Sequence, residues 1–214
     1  MIIKKVIVML IMINGFLFAD EAAEILREVK KKYENVTNVR IQFTQIDIFK
    51  LSGIRSESKG TMYFGSGDNF RLESDQRTIV TDGVKIWSYA PLNKQVVIDY
   101  AQKNSRSILP RELLFTYDER YYANLIGKAE EDGKQYYEIK LVPKPNFKSA
   151  IESMKIWVRV DSYMVEKILY VDLNRNEKIY LVEEFEQLTS VSDDLFTFVP
   201  PAETKIIDLT GRND

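Results

Sequence analysis

The chain has 214 residues, 45% of them hydrophobic and 29% charged, with a net charge of −2 and neither histidine nor cysteine. The two missing types exclude a Ser-His-Asp triad, a Cys-His dyad, a disulfide and an ordinary His/Cys zinc or copper site, so any metal would need hard-oxygen coordination by carboxylates. The charge balance offers no basic excess for nucleic acid, and the length suits one domain, two at most, with enough buried surface to fold without staples.

Residues 1–19 read MIIKKVIVMLIMINGFLFA. Lys4 and Lys5 precede an apolar run that ends on Ala19, and the polar pair Asp20-Glu21 follows. This layout predicts a secretory signal peptide over residues 1–19. Asn14-Gly15 interrupts a run already short for a membrane span. A lipoprotein signal would need a cysteine just after the cut. The expectation is a soluble, monomeric mature chain, residues 20–214, forming a single domain in the periplasm or outside the cell.

Asp20 to Asn35 predicts an amphipathic helix, with Ala22, Ile25, Leu26, Val29, Tyr33 and Val36 at spacings of three and four. Acidic residues open it and Lys30 to Lys32 close it, matching the helix dipole. The period then changes to two. Val39, Ile41 and Phe43 alternate with polar residues, and the apolar phase shifts to Ile46 and Ile48, which predicts a bulge near Thr44-Gln45. Gly60, Met62 and Phe64 form the next alternating run. After the turn Gly65 to Asp68 come Phe70 and Leu72, then the β-branched run Thr78 to Thr81. Asp82-Gly83 is a hairpin signal. Ile86 to Tyr89 and Gln95 to Ile98 continue the meander.

Asn104 to Tyr117 breaks that rhythm. Ile108, Leu109, Leu113, Leu114 and Phe115 cluster around Pro110, which predicts a short apolar helix, equally suited to a lid or to a permanent plug. Strands resume at Tyr121–Ile126, Gln135–Val142, Met154–Val160, Met164–Asp172 and Lys178–Glu186. The fold expected is mainly β with helices (α+β). One face of the strands carries Phe43, Met62, Phe64, Phe70, Leu72, Met154, Ile156 and Val158. That set suits an apolar cavity as well as a solid core.

Chemistry is hard to find. Glu183-Glu184 sit on opposite faces of a strand and make a poor carboxylate pair. Glu130-Glu131 and Asp193-Asp194 lie in turn-like, solvated stretches. No phosphate loop, nucleophile elbow or calcium loop is present, and nothing implies a cofactor. Trp87 and Tyr89 could stack on a sugar or a base, but packing is the commoner use. A carboxylate hydrolase built on Glu183 and Glu138 remains a competing class.

Several stretches, in order, resemble the periplasmic outer-membrane lipoprotein carrier family, LolA. They are Phe43-Thr44-Gln45, Gly60-Thr61-Met62-Tyr63-Phe64, Asn69-Phe70-Arg71-Leu72, Ile79-Val80-Thr81-Asp82-Gly83 and Trp87-Ser88-Tyr89-Ala90-Pro91. Phe196-Thr197-Phe198-Val199-Pro200-Pro201 resembles the family's closing strand and proline pair. The resemblance implies an incomplete antiparallel β-barrel closed by a helical lid, with Ile108, Leu109, Leu113 and Leu114 as that lid. It implies no enzymatic reaction. Its partners would be triacylated lipoproteins, an inner-membrane ATP-driven exporter, and an outer-membrane acceptor or the outer membrane itself. A sensor module of the same half-barrel type is the alternative. Family members carry a gating arginine where this chain has Ser66. Looser gating, replacement by Arg71 or Arg77, and a drifted function are the three explanations left open.

Overall fold

The computed structural model describes residues 21–34, 36, 38–101, 117 and 119–211. The expected signal peptide and the lid residues Ile108, Leu109, Leu113 and Leu114 lie outside them. In chain order the elements are helix α1 (residues 21–34), β1 (Val39–Ile48), β2 (Arg55–Phe64), β3 (Asn69–Ser74), β4 (Thr78–Asp82), β5 (Lys85–Ala90), β6 (Gln95–Tyr100), β7 (Tyr121–Glu131), β8 (Lys134–Pro143), β9 (Ile151–Arg159), β10 (Val165–Asp172), β11 (Glu177–Gln187) and β12 (Lys205–Asp208). The chain is thus mainly β with one described helix of any length. Its contacts divide it into two compact units, one holding α1 and β7 to β10, the other β1 to β6, β11 and β12.

In the first unit the strands run β10-β9-β8-β7, an open antiparallel meander. The β7–β8 hairpin turns on Asp132 and Gly133, both at positive φ (51° and 72°), as a tight right-twisting hairpin requires. That turn clamps the ladder from Lys128↔Tyr137 to Glu131↔Lys134, so β7 extends five residues past the expected Ile126 although its end has no apolar alternation. The helix buries Ala22, Ile25, Leu26 and Val29, all 5% exposed or less. Burying an aliphatic side chain of this kind stabilises by about 1.5–3 kcal/mol. Its last turn is tied to β10, where the Val165 N–H donates to the Tyr33 hydroxyl at 3.2 Å. Burial pushes that hydroxyl's pKa up to about 12.

In the second unit the order is β12-β6-β5-β4-β3-β2-β1-β11. The expected meander is present from β1 to β6, pair by pair. Two expectations fail in detail. First, the ladder of β1 with β2 runs from Val39↔Phe64 to Ile48↔Arg55 with no register shift, so no bulge breaks it at Thr44-Gln45. The irregularity lies on the β11 side. Even-numbered Arg40 and Gln42 meet even-numbered Glu184, while odd-numbered Phe43 and Asp47 meet even-numbered Tyr180 and Lys178. Antiparallel strands keep such parity along their length unless one has an extra residue.

Second, Phe196 to Pro201 is not a strand. Asp193–Phe196 is a 3₁₀ turn, and the pairing strand is β12, beyond the prolines and parallel to β6. Pro200 and Pro201 have no N–H to give a ladder. The segment is held instead by side chains. Phe196 is buried against Gly65, and the Arg71 guanidinium donates to the carbonyls of Leu195 and Thr197 at 3.1 and 3.3 Å.

Gly60 marks the tightest contact on β2. A Cβ there would stand against the Glu73 carbonyl and 2.5 Å from Phe43 Cζ. Gly60→Ala is expected to destabilise the fold by about 1–3 kcal/mol through overpacking. The measurement is a urea titration, where the midpoint should fall with an unchanged m-value. An unmoved midpoint would contradict the contact.

Candidate apolar binding face

Register places the candidate residues before any question of function arises. In the β1–β6 unit, Phe43 is paired with Gly60, Met62 with Ile41 and Leu72, and Phe64 with Val39 and Phe70. Direct partners share a face, so Phe43, Met62, Phe64, Phe70 and Leu72 lie together as the alternation predicts. Phe43, Met62, Phe70 and Leu72 are buried, whereas Phe64 is half-buried, with its ring 5.1 Å from that of Phe70. The same face continues through Ile79, opposite Leu72, and Ile86, opposite Thr81. These isoleucines were missed by the candidate set. The Asp82-Gly83 hairpin signal was the clue, since it fixes which residues of β4 and β5 face the same way.

In the other unit Met154, Ile156 and Val158 are also brought together. They pair with Leu141, Ile139 and Tyr137, and all three are 1% exposed or less. Their neighbours Ile139 and Leu141 are equally buried. Trp157 points to the opposite face, with the Lys155 and Lys167 ammonium groups 4.3 and 4.4 Å from its ring.

The β1 face changes character along its length. Beyond Phe43 come Gln45 and Asp47, which are 2% and 9% exposed. Gln45 Nε2 donates to Asp47 Oδ2 at 2.5 Å, and Lys178 Nζ lies 3.0 Å from Asp47 Oδ1. Ser58, opposite Gln45 on β2, has a buried Oγ with no hydrogen-bond partner among the described residues. Tyr180 packs on Phe43 with ring centroids 5.5 Å apart, and its hydroxyl accepts from Arg77 at 3.2 Å. Burial pushes the Tyr180 pKa up, while the Arg77 cation draws it down. The apolar face therefore ends in a buried polar cluster.

The arginine candidates separate cleanly. Arg71 donates to Glu73 at 2.7 Å and to the C-terminal segment, so its guanidinium is engaged away from the apolar face. Arg77 reaches the polar end of that face through Tyr180. Ser66 is an exposed residue of the β2–β3 turn. Tyr89 and Phe198 pack together at 5.5 Å, which accounts for Tyr89 as a packing aromatic. Of the carboxylates considered for hydrolysis, Glu138 pairs with Lys155 at 2.6 Å and Glu183 is exposed. Among the described residues no group of three acidic side chains is gathered to hold a metal.

Comparison with known proteins agrees with this architecture. The family model described as Outer membrane lipoprotein carrier protein LolA matches residues 34–199. An outer-membrane lipoprotein carrier protein of Glaesserella parasuis is 23% identical over 94% of this chain and 92% of its own length. One from Actinobacillus pleuropneumoniae is 24% identical over 94% of this chain and 91% of its own. Among solved structures, an uncharacterized conserved protein from Thermus thermophilus shares the fold, with a TM-score of 0.59 and 14% identity, covering 88% of this chain and 99% of that one.

The polar cluster yields a test of its own. Asp47→Ala leaves the buried Gln45 amide without its carboxylate partner, which costs about 1–3 kcal/mol, and removes the ion-pair partner of Lys178, whose side chain is 36% exposed. Chemical denaturation should show that loss, and a second substitution at Lys178 should then cost less than it does in the parent. Additive losses would contradict the pairing.

Proposed function

The chain belongs to the outer-membrane lipoprotein carrier family, and from that premise we propose that it ferries triacylated lipoproteins through the periplasm. It accepts them from an inner-membrane ATP-driven exporter and yields them to an outer-membrane acceptor or to the membrane itself. The signal peptide over residues 1–19 brings it to that compartment. The acyl chains lie against Phe43, Met62, Phe64, Phe70 and Leu72. Met154, Ile156 and Val158 form a second apolar patch, with the same use. Ile108, Leu109, Leu113 and Leu114 form the lid that moves on loading. No bond is made or broken, and no cofactor is used.

One observation supports this reading above the others: the apolar face that Phe43, Met62, Phe64, Phe70, Leu72, Ile79 and Ile86 share across β1 to β5, with the Phe64 ring at its half-buried end. Acyl chains in water drive association strongly, because each buried CH₂ contributes about 0.8 kcal/mol. A carrier must also let go. A face that ends in Gln45, Asp47, Ser58 and Arg77 limits how much chain is buried without polar contact, and keeps binding short of irreversible. Loading then depends on displacing side chains that pack on one another in the empty protein. That cost sets the affinity below the area-based maximum.

The burial pattern also chooses the variant. Leu72 is 4% exposed, so an aspartate there would unfold the sheet before it could report on cargo. Phe64→Asp is better tolerated because the position is half-buried. Its carboxylate would face acyl chain, and a penalty of about 1.4 kcal/mol already lowers affinity tenfold. Lipoprotein release from spheroplasts should fall by at least that factor, while circular dichroism stays unchanged. Undiminished release by a folded Phe64→Asp protein would overturn the proposal.

A further inference from the structure

The connection between β1 and β2 is built unlike the other hairpins. Within residues 49–54, Phe49 is 45% exposed, Leu51 97% and Ile54 58%. Large apolar side chains concentrated on a turn need a reason, since scattered single ones do not. The turn is well bonded. Phe49 N–H donates to the Ile54 carbonyl at 2.8 Å, Gly53 N–H to the Phe49 carbonyl at 2.8 Å, and Ile54 N–H to Ser52 Oγ at 3.3 Å. Its apolar side chains are therefore held outward by an ordered backbone.

On its β2 side the hairpin also runs past its neighbour. β3 pairs with β2 only from Gly60 onward, so Arg55 to Lys59 have β1 but no β3 beside them. At about 3.4 Å per residue the tip stands roughly 17 Å beyond the end of β3. Two cations flank the apolar residues: Lys50 lies between Phe49 and Leu51, and Arg55 follows Ile54, both exposed. No acid lies between Ile48 and Arg55, and Glu57 is the first one on β2. An apolar point within a cationic collar complements a bilayer interface, where acyl chains underlie anionic headgroups. A protein partner fits less well, because a stable interface takes some 20–30 residues a side and a six-residue turn offers neither groove nor flat face.

We propose that the β1–β2 tip docks the protein on an anionic phospholipid bilayer by inserting Leu51, with Phe49 and Ile54 beside it and Lys50 and Arg55 at the headgroups. The docking is reversible, because three side chains and two charges give modest affinity. It is separate from acyl-chain carriage, since none of these residues belongs to the apolar face.

Vesicle flotation tests it, using the protein purified after export. The protein should float with phosphatidylglycerol–phosphatidylcholine vesicles, and the bound fraction should fall as salt is raised. Leu51→Asp should reduce that fraction at least tenfold. At 97% exposure the substitution leaves folding untouched, and lipoprotein release by this variant shows separately whether carriage persists. The chain has no cysteine, so Leu51→Cys accepts a single environment-sensitive dye. Its emission should shift to the blue on anionic vesicles, while the same dye at Asp132→Cys stays unshifted. Equal flotation of Leu51→Asp, equal binding to pure phosphatidylcholine, or an unshifted dye at position 51 would each overturn the proposal.

Discussion

The ladder between β1 and β2 is the constraint on which the rest depends. It holds ten residue pairs in one uninterrupted register, and Phe43 lying on Gly60 locks that register because no other residue type leaves room for the ring. A slip by one residue would turn Met62 and Phe64 to the opposite face and bring Tyr63 and Thr61 in their place. Every later strand of the meander inherits its facing from this pair. Leu72 faces Met62, Ile79 faces Leu72, and the apolar surface is propagated rather than specified strand by strand.

That same ladder places the polar cluster. Because β1 runs on without a break against β2, Gln45 and Asp47 keep the facing of Phe43 and come to lie at the end of the apolar surface. Against β11 the parity of the contacts changes along β1, and Lys178 and Tyr180 meet Asp47 and Phe43. A lipoprotein has both parts in one molecule, acyl chains joined to a polar backbone, and a face graded from apolar to polar suits such a ligand. A uniformly apolar surface would hold the chains and reject the junction.

Much of this was legible because β2 and β3 keep a strict period of two across a short turn. Met62, Phe64, Phe70 and Leu72 could be set on one face without any knowledge of partners. The phase change in β1 was legible too, but its location was not. Which neighbouring strand absorbs an extra residue depends on a pairing with a segment far along the chain, and Arg77 and Tyr180 are 103 residues apart. Likewise the tail's Phe196 and Phe198 advertised a strand by composition. The two prolines and the Arg71 contacts to carbonyls decided for an extended segment instead. The length of β7 was set by its turn, Asp132-Gly133, and not by apolar alternation, which stops at Ile126.

The central claim is that this apolar face binds the acyl chains of other proteins. Native mass spectrometry of the protein, isolated after export without detergent exchange, tests it most directly. The account predicts a population carrying added mass that fragments to acylated cysteine from a lipoprotein N-terminus. A protein that leaves the cell's envelope with a carbohydrate or with nothing bound, even when lipoprotein release is blocked downstream, would contradict it.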